Sequence, residues 1–233
     1  MGGGGEGRYL IEDDHDSEYR YRGKPVPSLQ GMDRHGKVIY LGTFSKSIAP
    51  SLRVSYMVLP PDLMERYRRK CGFYSVTVPR MQQEILGEFI TGGHFERHLN
   101  KMRGIYRGRH DFLLGELKKR DWAVRVSGEH AGLHLLVQAH TGQTEQRLCA
   151  AAAARGVKLS GLSEYRLGLY EETAERGAKA DAAAQTGRRT EDPGKRFAQN
   201  DGFPVLVLGY GGLNEEEIAR GLLILDEMIK EGR

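Results

Sequence analysis

Between Met81 and Lys119 the apolar residues Ile85, Leu86, Phe89, Ile90, Phe95, Leu99, Met102, Tyr106, Phe112 and Leu113 recur at helical intervals. Such spacing draws an apolar stripe along a helix, so the middle of the chain is committed to long helical structure. Gly92 and Gly93 interrupt the stripe, and the pattern predicts a helix broken or kinked there.

Short apolar runs bounded by polar turns flank this helix. Residues 8–12, 38–44 and 53–59 read as buried strands, the last stopped by Pro60-Pro61. Beyond the helix, Trp122–Val126, Gly132–Gln138, Val157–Leu159 and Val205–Gly209 read as strands, with helices over about 144–155 and 214–231. Asn214 ahead of three glutamates is a good N-cap with acids in the first turn. The predicted organisation is a flexible glycine-rich lead-in (1–7), an α/β segment (8–80), the connecting helix (81–120) and a small α+β domain (121–233). Residues 168–203 carry almost no large apolar side chains and are expected to form a mobile surface insertion.

Composition excludes several classes. An apolar content of 39% over 233 residues can build a globular core. The balance of 35 basic against 31 acidic residues is too even to define a polyanion-binding face. Cys71 and Cys149 are isolated and fit reduced thiols in a cytoplasmic protein. The N-terminus has no apolar core for a signal peptide, and no segment points to a membrane.

Lys46 carries the chemistry. It ends the run Val38-Ile39-Tyr40-Leu41-Gly42-Thr43-Phe44-Ser45-Lys46, with Arg53 seven residues on, and a lysine so set is expected to be poorly solvated. Asp13 and Asp14 close the preceding strand. If the two strands are parallel, their carboxyl ends face one crevice, where open α/β sheets bind ligands. An amine and a carboxylate there suit pyridoxal 5′-phosphate: lysine as the imine-forming group, the acid on the pyridine nitrogen, and Thr43, Ser45 and Arg53 for the phosphate.

Segments 11–21 (IEDDHDSEYRY), 41–56 (LGTFSKSIAPSLRVSY) and 132–136 (GLHLL) resemble the aminotransferase class I/II family of fold type I. Within it they are most similar to the aminotransferase-like domain of MocR regulators of the GntR group. The resemblance runs over nearly all of residues 8–231 outside the insertion. It implies a partial fold type I transferase: part of a mostly parallel large-domain sheet, a long connecting helix and an α+β C-terminal domain. It further implies that Lys46 forms the Schiff base, Asp13 binds the pyridine nitrogen, and Thr43 and Arg53 contact the phosphate, with Ser45 a weaker candidate. His15 stands where the family usually has a tyrosine that bonds the cofactor's ring oxygen, and imidazole can donate there. The family's upstream glycine-rich phosphate loop, its ring-stacking aromatic and its winged helix have no counterpart in this sequence, so the chain reads as the C-terminal portion of a longer protein, with no DNA-binding domain expected in this stretch.

Other features weigh toward ordinary roles. The basic stretch 101–110 interleaves charge with apolar residues, as a solvated helix face does. His94, His98 and His134 lack a third ligand at recognisable spacing, so no metal site is expected. Arg166 is a candidate for pairing a substrate carboxylate, although an ordinary surface arginine fits its surroundings as well. The functional expectation is amino-group transfer between an amino acid and a 2-oxo acid, in a homodimer. The alternatives are an amine- or cofactor-sensing effector domain of a MocR-type regulator and an inactive truncated remnant.

Overall fold

A computed structural model of the chain describes residues 7–15, 17–165 and 203–232. These fall into two compact units, Met1–Arg107 with His130–Gly132 and Gly108–Glu129 with Leu133–Arg233.

The first unit is built on a three-stranded sheet in the order β1 (Leu10–Asp14), β2 (Val38–Thr43), β3 (Ser55–Val58). A one-turn helix α1 (Leu29–Met32) follows β1; the Glu12 carboxylate accepts the amides of Leu29 and Gln30 at 2.8 and 2.9 Å and seats it. β1 and β2 pair in parallel, Asp13 opposite Leu41 and Asp14 opposite Gly42. β3 runs antiparallel to β2, pairing Gly42 with Tyr56 and Thr43 with Ser55. Between β2 and β3 lie the one-turn helix α2 (Phe44–Ser47) and a 3-10 turn, Pro50–Leu52.

Helix α3 (Pro61–Cys71) follows, with Pro61 and Asp62 in its first turn and Arg68, Arg69 and Lys70 in its last, in accord with the helix dipole. The helical stripe divides as its glycines require. Helix α4 (Arg80–Thr91) ends where the Gly92 amide donates to the Glu88 carbonyl, and Gly93 takes a φ of 68° before α5 (His94–Leu117) begins. A left-handed residue there is cheapest as glycine. α5 gives His94–Arg107 to the first unit and Gly108–Leu117 to the second.

The second unit has an antiparallel sheet in the order β4-β5-β7-β6, formed by β4 (Ala123–Ser127), β5 (His134–Ala139), β6 (Ser160–Gly161) and β7 (Val205–Gly209). Helix α6 (Glu145–Ala154) lies before β6, and α7 (Glu215–Glu231) closes the chain. Leu135, Val137 and Ala139 of β5, Val205 and Leu206 of β7, Leu148 and Ala152 of α6, and Ile218, Leu222, Leu225 and Ile229 of α7 are buried and form the core. The α7 residues sit at the three- and four-residue steps that keep one face inward. Asn214 and Glu217 make a reciprocal capping box, as the sequence indicated for Asn214. Val157–Leu159 is not strand; pairing begins at Ser160 and lasts two residues. The insertion expected at 168–203 falls almost entirely outside the described residues. Among the described residues no helix is long and apolar enough to cross a membrane.

Candidate functional site

The carboxyl ends of β1 and β2 and the start of β3 open on one side of the first unit's sheet, and there the chain forms a concave cavity of about 470 Å³. That lies within the roughly 300–1,000 Å³ usual for small-ligand sites. Asp13, His15, Thr43, Ser45 and Arg53, each expected at the site, all line it. Leu41, Gly42, Ser55, Tyr56 and Met57 complete the lining.

The pleat explains which carboxylate is available. Register partners share a face, so Asp13 stands with Leu41, Thr43, Ser55 and Met57, while Asp14 stands with Gly42 and Tyr56 on the other. Asp14 is already engaged there. It accepts the Ser17 hydroxyl at 2.6 Å, the Ser17 amide at 3.2 Å and the Tyr40 hydroxyl at 2.7 Å. Burial alone would raise its pKa, but these bonds outweigh burial and hold the carboxyl below the usual aspartate range. Burial, followed by the bond to Asp14, pushes the Tyr40 phenol well up, so it stays a donor.

A group whose folded value is depressed stabilises the fold above its unfolded value and loses that contribution as pH falls through the folded one. Asp14→Asn is therefore expected to destabilise the protein at neutral pH, with the gap to wild type closing on acidification below about pH 4. Urea midpoints measured across acidic and neutral pH check this; a gap independent of pH contradicts it.

The Tyr56 ring lies across Gly42: a Cβ there would fall 2.4 Å from the ring's Cζ. Glycine is thus needed at position 42 for close approach, and the ring goes on to pack against Phe44 at 5.1 Å between centroids. Phe44 also meets Phe95 edge-on at 6.0 Å.

The turn bearing Lys46 is tied down by its own backbone. Thr43 caps α2, its Oγ1 accepting the Ser45 amide at 3.2 Å and donating to the Val54 carbonyl at 3.3 Å. The Phe44 amide donates to the same carbonyl at 2.9 Å, and the Ser47 hydroxyl donates to the Thr43 carbonyl. A hydroxyl has one proton, so Thr43 can give it to an anion only by releasing Val54. Arg53, one residue earlier, holds φ at 50°, the one non-glycine positive φ among the described residues. Strain of this kind costs on the order of 1–3 kcal/mol and gathers at functional sites.

Lys46 corrects one expectation. Its side chain is exposed, and it is not among the residues lining the cavity, although its neighbour Ser45 is. The reason is the openness of this sheet: β3 is exposed at all four residues, and a lysine at a strand end keeps its ammonium in water unless another element covers it. Arg166 lies outside the described residues. Ser55, Tyr56 and Met57 are site residues that sequence reasoning missed; strand alternation carried from Thr43 through the β2–β3 pairing would have found Ser55 and Met57.

A parallel strand pair ending in a carboxylate and a hydroxyl–lysine turn, with Arg53 lining the same cavity, is the arrangement that the resemblance to fold type I transferases implies. Comparison with known proteins agrees. The model of the family described as aminotransferase class I and II matches residues 15–172. The chain is 36% identical over 215 residues to the uncharacterized HTH-type transcriptional regulator YhdI of Bacillus subtilis (strain 168), covering 92% of this chain and 39% of that protein. It is 37% identical over 157 residues to the probable rhizopine catabolism regulatory protein MocR of Rhizobium meliloti, covering 66% and 32%. The crystal structure of the multiple substrate aminotransferase from Thermococcus profundus superposes with a TM-score of 0.68 at 25% identity, over 96% of this chain and 48% of that one. This chain belongs to the aminotransferase class I and II family, and its relatives include both MocR-type regulators and aminotransferases. It spans less than half the length of the relatives named here.

Proposed function

We propose that this chain carries the lysine side of a pyridoxal 5′-phosphate site and takes part in amino-group transfer between an amino acid and a 2-oxo acid. The observation that carries the reading is the single cavity that gathers Asp13, His15, Ser45 and Arg53, with Lys46 on the adjoining turn. The donor set suits the cofactor: a carboxylate for the ring nitrogen, an imidazole for the ring oxygen, and hydroxyls with a guanidinium for the phosphate. When bound, the cofactor supplies an aldehyde that captures amines and a ring that draws electrons from the substrate α-carbon. Lys46 would be the amine that holds it covalently and, when free, would move the proton at that carbon. Asp13 keeps the ring nitrogen protonated. His15 donates to the ring oxygen, and Arg53, with Ser45 and Thr43, binds the phosphate.

The similarity to two regulators at 36% and 37% identity favours a second reading, an effector domain that senses an amine or the cofactor without turnover. The reading extends to a cytoplasmic homodimer. It is supported by the free thiols Cys71 and Cys149 and by apolar side chains exposed on the sheet, Ile11 and Met57 among them.

Incubating the cofactor-loaded protein with single amino acids separates the readings. The expected result is a stoichiometric 2-oxo acid from one amino-acid class. A spectral response with no oxo acid overturns transfer in favour of sensing, and no response to any amine overturns both.

A further inference from the structure

Tyr19 is buried to 1% exposure, and its hydroxyl donates to the main-chain carbonyl of Lys46 at 3.0 Å across 27 residues of sequence. A fully buried phenol needs a partner, and this one reaches the single carbonyl that belongs to the lysine. Its ring cannot drift. Tyr106 of α5 meets it edge-on at 4.9 Å and 88°. Its own backbone is held on the far side by the Gly132 amide, which donates to the Tyr19 carbonyl at 2.9 Å, and by the pairing of Arg20 with Ala131. On the near side Arg103 of α5 donates through Nε to the Glu18 carbonyl at 2.6 Å.

The rest of the Lys46 turn is fixed from β2 and from Val54, as described above, and those bonds act on Thr43, Phe44, Ser45 and Ser47. Among the described residues Lys46 itself shows no such hydrogen bond to the sheet, and its carbonyl accepts from Tyr19. We propose that Tyr19 is a positioning residue for Lys46: its hydroxyl, braced by α5 and the 130–132 segment, fixes the lysine's carbonyl and so the direction in which the side chain leaves the turn. The inference rests on the reading of Lys46 as the cofactor lysine only for its catalytic meaning; the mechanical claim stands apart from it. Burial pushes the Tyr19 phenol well above its ordinary range, so it remains a donor at neutral pH.

Two variants separate positioning from stability. Tyr19→Phe removes the bond to Lys46 and keeps the ring; Tyr21→Phe removes a buried hydroxyl bond, to the Gly132 carbonyl at 2.8 Å, that does not reach the turn and leaves the Gly132 amide on the Tyr19 carbonyl. Hydrogen exchange is read at the amides of residues 44–48, and borohydride trapping of pyridoxal 5′-phosphate is read at Lys46 relative to the other lysines. In Tyr19→Phe the 44–48 amides are expected to exchange about tenfold faster while β1 and β2 keep their protection. Lys46 labelling is expected to fall severalfold relative to the other lysines. Tyr21→Phe should do neither. Unchanged exchange at 44–48 in Tyr19→Phe, or the same change in both variants, overturns the proposal. If Tyr19→Phe loosens 44–48 and Lys46 is labelled in no variant, the mechanical role holds and the cofactor reading fails. If Lys46 is labelled equally in all and exchange is unchanged, the cofactor reading holds and Tyr19 has no positioning role.

Discussion

Replacing Asp13 with alanine is expected to weaken pyridoxal 5′-phosphate binding by roughly ten- to a hundredfold, which is the worth of one hydrogen bond to an ionised group, about 1.5–3 kcal/mol. Asp13 faces the cavity, with Leu41 and Thr43 beside it on the same face of the sheet. Asp14, one residue on, faces the other way and is consumed by Ser17 and Tyr40. Asp14→Asn should therefore leave cofactor affinity nearly unchanged while costing stability. Titrating each variant with the cofactor and following its absorbance gives both affinities. A loss in Asp14→Asn with none in Asp13→Ala would reverse the assignment of the two carboxylates.

The second large effect lies in the other unit. Trp122, the single tryptophan, is 5% exposed, and its indole N–H donates to Asp226 Oδ1 at 2.6 Å. Arg120 donates to the same oxygen at 3.1 Å and also reaches Glu116, so helix α7, helix α5 and the start of β4 share one polar cluster beneath the indole. Trp122→Ala removes a large buried side chain and is expected to cost about 3–5 kcal/mol. Trp122→Phe keeps most of the apolar contact and gives up one hydrogen bond. Asp226 retains Arg120, so no carboxylate is stranded, and the cost should be about 1–2 kcal/mol. Urea unfolding followed by far-ultraviolet circular dichroism measures both without relying on tryptophan fluorescence. Equal costs for the two variants would mean that the indole's bulk contributes little.

Much of this was legible in the residues because the signals were local. The helical stripe with its glycine pair gave α4 and α5, and Asn214 with its glutamates gave the start of α7, since capping and periodicity act within a few residues. The site residues Asp13, His15, Thr43, Ser45 and Arg53 were found through a motif resemblance, and the structure brings them to one cavity. Pro61, Asp62 and the basic last turn mark helix α3, but a proline pair after a strand signals first a stop and so hides it. The rest depended on contacts between distant residues. The antiparallel direction of β3, the aromatic ring over Gly42, the exposure of Lys46 and the bond from Tyr19 follow from pairing and packing that no local spacing records.

The central claim is that Lys46, exposed as it stands in the turn of α2 after β2, is the amine that takes pyridoxal 5′-phosphate. Incubation with the cofactor, borohydride reduction and peptide mapping test it most directly. The predicted result is one dominant labelled lysine, Lys46, with the visible absorption band and the label both lost in Lys46→Ala. Label scattered over the surface lysines, or a band that persists in Lys46→Ala, would contradict the account.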